Sequence, residues 1–278
     1  MSADPPIYDN HVHLRPDGRD LEALREFRDA GGSGLTLVNL PASDVLSGGL
    51  ETFLGSYRWT INMAVKAREE LGLEVNVAIG PYPVLLLPLA EALGPEKAEA
   101  VMIEAVDAAA ALVAAGEAQA LGELGRPHFP VEPEIVETSN RILAHAMGRA
   151  SEVGCPLIIH SESAGTEEMA GFAAMADNAG LRRERVLKHF SAPLNRPELS
   201  HGLITSVPAS RSALREAIAN GGPFLLETDY LDDPERPGAV MAIRTVPRRV
   251  KAMLASNEMD ERLAWEIGQE LPRRLYRP

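Results

Sequence analysis

The sequence predicts a (β/α)8 barrel, a TIM-type α/β fold, and three observations lead there. Short apolar runs and stretches of helical periodicity alternate eight times along the chain. The 278 residues sit slightly above the usual length of such a barrel. No Ser/Gly linker, charge run or low-complexity tract divides them, so residues 1–278 read as a single domain. The main rival, an open doubly wound sheet, would carry a glycine fingerprint after its first strand. His11-Val12-His13-Leu14 stands there instead.

The elements follow in order. Strands are expected at Ile7–His13, Leu35–Leu40, Glu74–Gly80 and Ala118–Gly125, then at Pro156–Ser161, Arg185–Phe190, Leu203–Val207 and Pro223–Asp229. Most are brief apolar runs ending in Gly, Pro, Ser or Asp, the pattern of parallel strands buried on both faces. Between them lie helical segments. One runs from about Glu99 to Ala115, with Val101, Met102, Ala105, Val106 and Ala109 on one stripe. Another spans Glu134 to Val153, where Gly154 supplies the C-terminal stop. Pro41–Leu50, rich in Ser and Gly, follows the second strand on the mouth side and has the composition of a lid. Trp59 and Trp265 fall in helical segments and are expected to pack in the outer layer.

Composition narrows the function classes. The 27 basic against 40 acidic residues give a net charge of −13, which opposes non-specific binding to long nucleic acid. The chain has one cysteine and no apolar run near bilayer length. A disulfide scaffold and a membrane protein are therefore not expected, and a cytoplasmic location is.

The placement of polar residues is more informative. Four of the seven histidines fall at the carboxyl ends of expected strands: His11 and His13 on the first, His160 on the fifth, His189 on the sixth. Glu123 ends the fourth strand and Asp229 the eighth. In a barrel these ends share one mouth, where active sites are built. His-x-His in a strand turns both imidazoles to one face, because side chains alternate with period two. Crowding four imidazoles and two carboxylates at one rim is costly without a compensating cation. Two divalent metal ions would give each group a partner.

Those residues resemble the TatD family of metal-dependent hydrolases, in the amidohydrolase superfamily, over nearly the whole chain. Asp9-Asn10-His11-Val12-His13 is similar to the family's D-x-H-x-H, and Gly122-Glu123-Leu124-Gly125 to its G-E-I-G. Ile158-Ile159-His160-Ser161 and Leu187-Lys188-His189-Phe190-Ser191 resemble its strand-five and strand-six histidine motifs. Glu227-Thr228-Asp229, with Leu231, Pro234 and Arg236 beyond, is similar to E-T-D-x-P-x-L and its trailing arginine. The chain departs from the family at Arg126, Pro127 and His128, at Glu162 and at Leu231, which suggests a divergent subgroup. His11-Val12-His13-Leu14-Arg15-Pro16 also resembles the opening of dihydroorotases. Those enzymes bridge their metals with a carbamylated lysine, and no lysine ends the expected fourth strand here.

The TatD resemblance implies a binuclear site. His11, His13, Glu123 and Asp229 would hold one ion, with Glu123 bridging to a second held by His160 and His189. Zn, Mn, Mg, Fe, Ni and Co are not distinguished. A bridging hydroxide would attack a phosphoester, as in a deoxyribonuclease-like reaction, with Asp229 and Glu123 as catalytic residues. The implied substrate is a small phosphodiester, a phosphate ester or a nucleic-acid end. Arg126, Arg15 and His128 are candidates for binding it, and Arg244, Arg248, Arg249 and Lys251 form a basic cluster farther on. Two alternatives stand beside this reading. The same site could hydrolyse a lactone or cyclic amide, or the barrel could be a metal-stabilised scaffold without turnover. The oligomeric state is open.

Overall fold

The structure, a computed structural model, describes residues 4–40 and 45–277. Its strands are β1 (Tyr8–His13), β2 (Gly34–Val38), β3 (Glu74–Ile79), β4 (Ala120–Gly125), β5 (Leu157–His160), β6 (Val186–Lys188), β7 (Ile204–Pro208), β8 (Phe224–Glu227) and a short β9 (Tyr230–Leu231). Each neighbouring pair from β1 to β8 is parallel and consecutive, and β9 pairs in parallel with β1. The helices that matter for the site are α1 (Leu21–Asp29), after β1, and α2 (Val45–Leu71), after β2. The expected helices at 99–115 and 134–153 occur as Pro95–Ala114 and Pro133–Val153. A proline at the start of each costs no intrahelical hydrogen bond.

The molecule is thus the barrel that the alternating pattern predicts, with all eight expected strands present. One apolar side chain from each of β1 to β8 meets inside the ring: Tyr8, Val38, Ala78, Ala120, Ile158, Leu187, Ile204 and Leu225. Leu271, Leu275 and Tyr276 of the last helix join them from the end opposite the mouth. Alternate residues such as Leu35, Leu37, Val75, Val77, Leu157 and Ile159 pack outward against the helices. Burial on both faces explains the unbroken apolar strands. Among the described residues, no helix is long and apolar enough to cross a membrane.

The ring closes by an unusual seam. β1 and β8 are joined by the Asp9 carboxylate, which accepts from the Thr228 amide at 3.0 Å and the Thr228 hydroxyl at 2.7 Å. The chain then turns at Asp229, whose φ is +50°, and continues as β9 beside Val12 and His13. Among residues with a Cβ, Asp and Asn adopt this left-handed conformation most readily. Asp9 is wholly buried, and desolvation pushes its pKa up to about 7 even though the Thr228 hydrogen bonds oppose the rise. Replacing Asp9 by Ala would leave the Thr228 amide and hydroxyl without their acceptor. We expect a loss of about 2–4 kcal/mol, read as a lower urea midpoint at unchanged denaturant slope.

Candidate metal centre

The mouth of the barrel is an open cleft of about 1300 Å³, and His13, Glu123, His160, His189 and Asp229 line it. Their positions follow from local backbone features. The β4–β5 register shifts between Leu121 and Leu124, a bulge that re-aims Glu123. Only glycine fits at Gly122, with φ +151°, because a Cβ there would lie 2.7 Å from the Ile158 Cβ. This close approach of β4 to β5 sets the Glu123 Oε2 2.9 Å from His160 Nδ1.

All six expected ligands converge. His11 Nε2 and His13 Nε2 lie 3.1 Å apart, with the Asp229 Oδ1 at 4.0 and 3.6 Å from them. His160 Nδ1 and His189 Nε2 are likewise 3.1 Å apart. Glu123 stands between the two groups. Its Oε1 is 3.7 Å from His13, and its Oε2 is 3.7 Å from His11 and 3.0 Å from His189. The donors form one set of His11, His13 and Asp229 and another of Glu123, His160 and His189, and a third of His11, His189 and Glu227 overlaps both, each with ligand atoms within 4.8 Å of one another.

These residues fit divalent ions. Imidazole nitrogens and carboxylate oxygens turned to common points are the donor set of zinc and its first-row neighbours. Ligand histidines usually donate their second nitrogen to a fixed acceptor. His13 Nδ1 meets the Val38 carbonyl at 3.0 Å, and His189 Nδ1 meets the Glu227 Oε1 at 3.2 Å. Glu227 is fully buried and also accepts from the Phe190 amide at 2.7 Å.

The electrostatics of the ligand residues point the same way. Burial drives His11 well below its ordinary value, and the charges of His189 and His13 add to the shift. Burial also lowers His13 and His160, against the pull of Glu123. For His189 burial is outweighed by Glu123 and Glu227 on either side, and its pKa rises to about 10. Burial would raise Glu123, but His160 and His189 hold it well below the usual carboxylate range. Asp229 is pushed up to about 8 by burial, opposed by His189 and reinforced by Glu227, Glu123 and Asp9.

The expected substrate contacts divide. Arg15 and His128 line the cleft. Arg15 is gripped by Asp17 through Nε at 2.9 Å and Nη2 at 2.7 Å, and its Nη1 lies 3.2 Å from the buried Asp233. Asp233 also accepts from Arg236, a further residue of the cleft wall, and the neighbouring Asp232 accepts from the Asp20 amide, so two acids after β9 pin the loop after β1. Arg126 is not brought to the cleft. Its Nε donates to Asn140 at 2.7 Å, its Nη1 to Glu162 at 2.9 Å, and its guanidinium lies 4.8 Å from the Phe172 ring centre. We therefore expect Arg126→Ala to leave KM and kcat within about threefold of wild type while lowering stability, a split measured by parallel kinetics and thermal melts.

The basic cluster is also turned elsewhere. Arg244 pairs with Glu26, while Arg249 and Lys251 donate to the Ala209 and Ala30 carbonyls. Lys188, the lysine nearest the centre in sequence, is buried on β6 with its Nζ on the His189 carbonyl at 2.6 Å; Glu123 stands between the histidine groups. Trp59 packs against the outer core, as expected, and also lines the cleft from α2, with Thr52 and Ser56. Of the expected lid, Pro41–Asp44 lie outside the described residues, and within α2 the chain breaks helical geometry at Gly49. Glu227 was within reach of sequence reasoning, because it precedes Asp229 by two residues in the expected eighth strand.

Comparisons with known proteins agree with this arrangement. The sequence model of the family described as TatD related DNase matches residues 8–277. An uncharacterized protein of Methanocaldococcus jannaschii is 31% identical over 278 residues, which cover 98% of this chain and 95% of that protein. Among solved structures, the TatD homologue YjjV from Escherichia coli superposes with a TM-score of 0.59 at 17% identity, covering 98% of each chain. The phosphotriesterase homology protein of Escherichia coli, complexed with phosphate in its active site, gives a TM-score of 0.62 at 11% identity, covering 99% of this chain and all of the other. At such identities these two likenesses concern the fold. The match over nearly the full length of the chain carries the assignment: this protein belongs to the TatD-related DNase family and is a metal-dependent hydrolase.

Proposed function

We propose that the protein hydrolyses phosphoesters at a two-ion centre, with His11, His13 and Asp229 holding one ion, His160 and His189 the other, and Glu123 shared between them. The observation that carries this reading is the position of Glu123, within 3.7 Å of all four histidines and open to the cleft. Divalent ions held there would lower the pKa of a water to near neutrality and draw charge from a phosphoryl oxygen.

The chain's own residues supply the rest. Asp229, turned into the cleft by its left-handed backbone, accepts the proton of the attacking water and returns it to the leaving oxygen. Glu227 fixes the ring of His189, and the Val38 carbonyl fixes that of His13. Arg15 and Arg236, paired with Asp17 and Asp233, place guanidinium groups in the wall of the cleft where a phosphate could compete for them. The cleft suits a small phosphoester or a short strand end. The basic cluster near Arg244 lies outside its lining.

The test loads the protein with zinc or manganese and compares bis(4-nitrophenyl) phosphate and 4-nitrophenyl phosphate with a simple lactone. Turnover of a phosphoester is expected. Turnover of the lactone alone would replace this reading with the cyclic-ester one, and full metal content without turnover of any of them would favour a scaffold.

A further inference from the structure

Phe190 carries a bulky ring on a backbone that does not favour one. Its φ is +47°, in the left-handed region that Gly and Asn adopt readily and an aromatic residue rarely does. A buried carboxylate holds the turn: Glu227 Oε1 accepts from the Phe190 amide at 2.7 Å and also meets His189 Nδ1 at 3.2 Å. That grip needs only the main chain of Phe190, and glycine or asparagine would supply it with less strain. The ring therefore calls for a reason of its own.

Core packing does not provide it. Among the described residues four large apolar side chains stand exposed, and Phe190, 46% exposed, is the one of them that lines the cleft. Its ring centre lies 6.1 Å from that of His189, so it stands beside the second donor set. Leu231, Ala239 and Val240 add apolar surface to the wall of the same cleft. At about 1300 Å³ the cleft is far larger than a phosphoryl group, and it has room for a ring-sized substituent next to the centre. A flat apolar group laid against Phe190 would take both ring faces out of water. Strained backbone that presents an exposed side chain to a site is a mark of ligand contact.

We propose that Phe190 is a specificity-determining residue, a platform on which a planar ring carried by the phosphoester, aryl or nucleobase, rests beside the metal centre. The inference rests on the phosphoester reading above and adds to it the chemistry of the group that the phosphate carries. A substrate with such a ring gains a contact that an alkyl ester lacks, and the gain falls on binding.

The test is calorimetry of zinc-loaded protein with methylphosphonate, phenylphosphonate and the phosphonate analogue of thymidine 5′-phosphate, beside turnover of bis(4-nitrophenyl) phosphate. Phenylphosphonate should bind about tenfold more tightly than methylphosphonate. A thymidine analogue that binds more tightly still marks the ring as a nucleobase, and one that binds more weakly than phenylphosphonate marks it as a simple aryl group. Phe190→Asn, whose side chain suits the left-handed turn, should keep the fold and the metal content while the gap between phenyl and methyl shrinks to about twofold or less. Its KM for the diester should rise more than its kcat falls, and Phe190→Trp should keep the wild-type gap. Equal affinity for the phenyl and methyl compounds in wild-type protein that turns over the diester, or a Phe190→Asn variant that retains the tenfold gap, overturns this inference alone. A metal-loaded wild-type chain that turns over no phosphoester overturns the reading beneath it, and this inference with it.

Discussion

Asp229→Asn is expected to retain both ions and lose turnover. The amide keeps an oxygen toward the first ion but cannot take a proton from water, so the loss should fall on kcat. General acid–base contributions of about 10²–10⁴-fold set the scale. KM should stay within a few-fold of wild type, since Asp229 does not hold the substrate in this scheme. The comparison with Glu123→Gln separates the two carboxylates. Glu123 faces all four histidines, and neutralising it removes the one negative charge shared between both halves of the centre. That variant should lose metal as well as rate. Elemental analysis beside kinetics distinguishes the two results; an Asp229→Asn protein with undiminished kcat would remove the proposed proton acceptor.

Stripping metal with a chelator should abolish activity, and the pH dependence of reloading follows from the charge states of the ligand residues. Near pH 7 His189 and Asp229 still carry protons, because their pKa values are raised to about 10 and about 8. His11, His13 and His160, all lowered, are neutral, and Glu123 is ionised. Binding requires every ligand to be deprotonated. The ions must therefore displace one proton from His189 and one from Asp229. Uptake should acidify an unbuffered solution, and affinity should rise with pH. Below about pH 8 the rise should approach a hundredfold per unit, and from there to about pH 10 roughly tenfold. Calorimetry in buffers of different ionisation enthalpy counts the protons. Affinity that falls with rising pH over this range would contradict the charge states assigned to the two residues.

The barrel was legible because its strands are buried on both faces and its helices are amphipathic, so the two periodicities alternate in plain sight. The ligands were legible for a related reason. Strand ends are fixed points in this fold, and a polar residue such as Glu123 or His160 at the close of an apolar run is conspicuous. What escaped depends on directions that a linear pattern does not encode. Arg126 follows the bulged end of β4, and nothing in its neighbours says that Asn140, Glu162 and Phe172 will draw it away from the cleft. Trp59 packs against the outer core and also reaches the cleft from α2, a second contact that helical periodicity does not show. The pairing of His128 with His160 joins residues far apart in sequence, and only the folded ring brings them together.

The seam between the first and last strands has a consequence for how the enzyme fails. The ring is held there by one carboxylate and a two-residue ladder, as short as the ladders of β3–β4 and β6–β7. Asp229 sits inside that joint, between Thr228 and Tyr230. A ligand mounted on a short weld of the hoop makes cargo and container interdependent: an ion pulling on Asp229 braces the joint, and a joint that springs open releases the ion. Warming that opens this joint should therefore bleed metal from the protein.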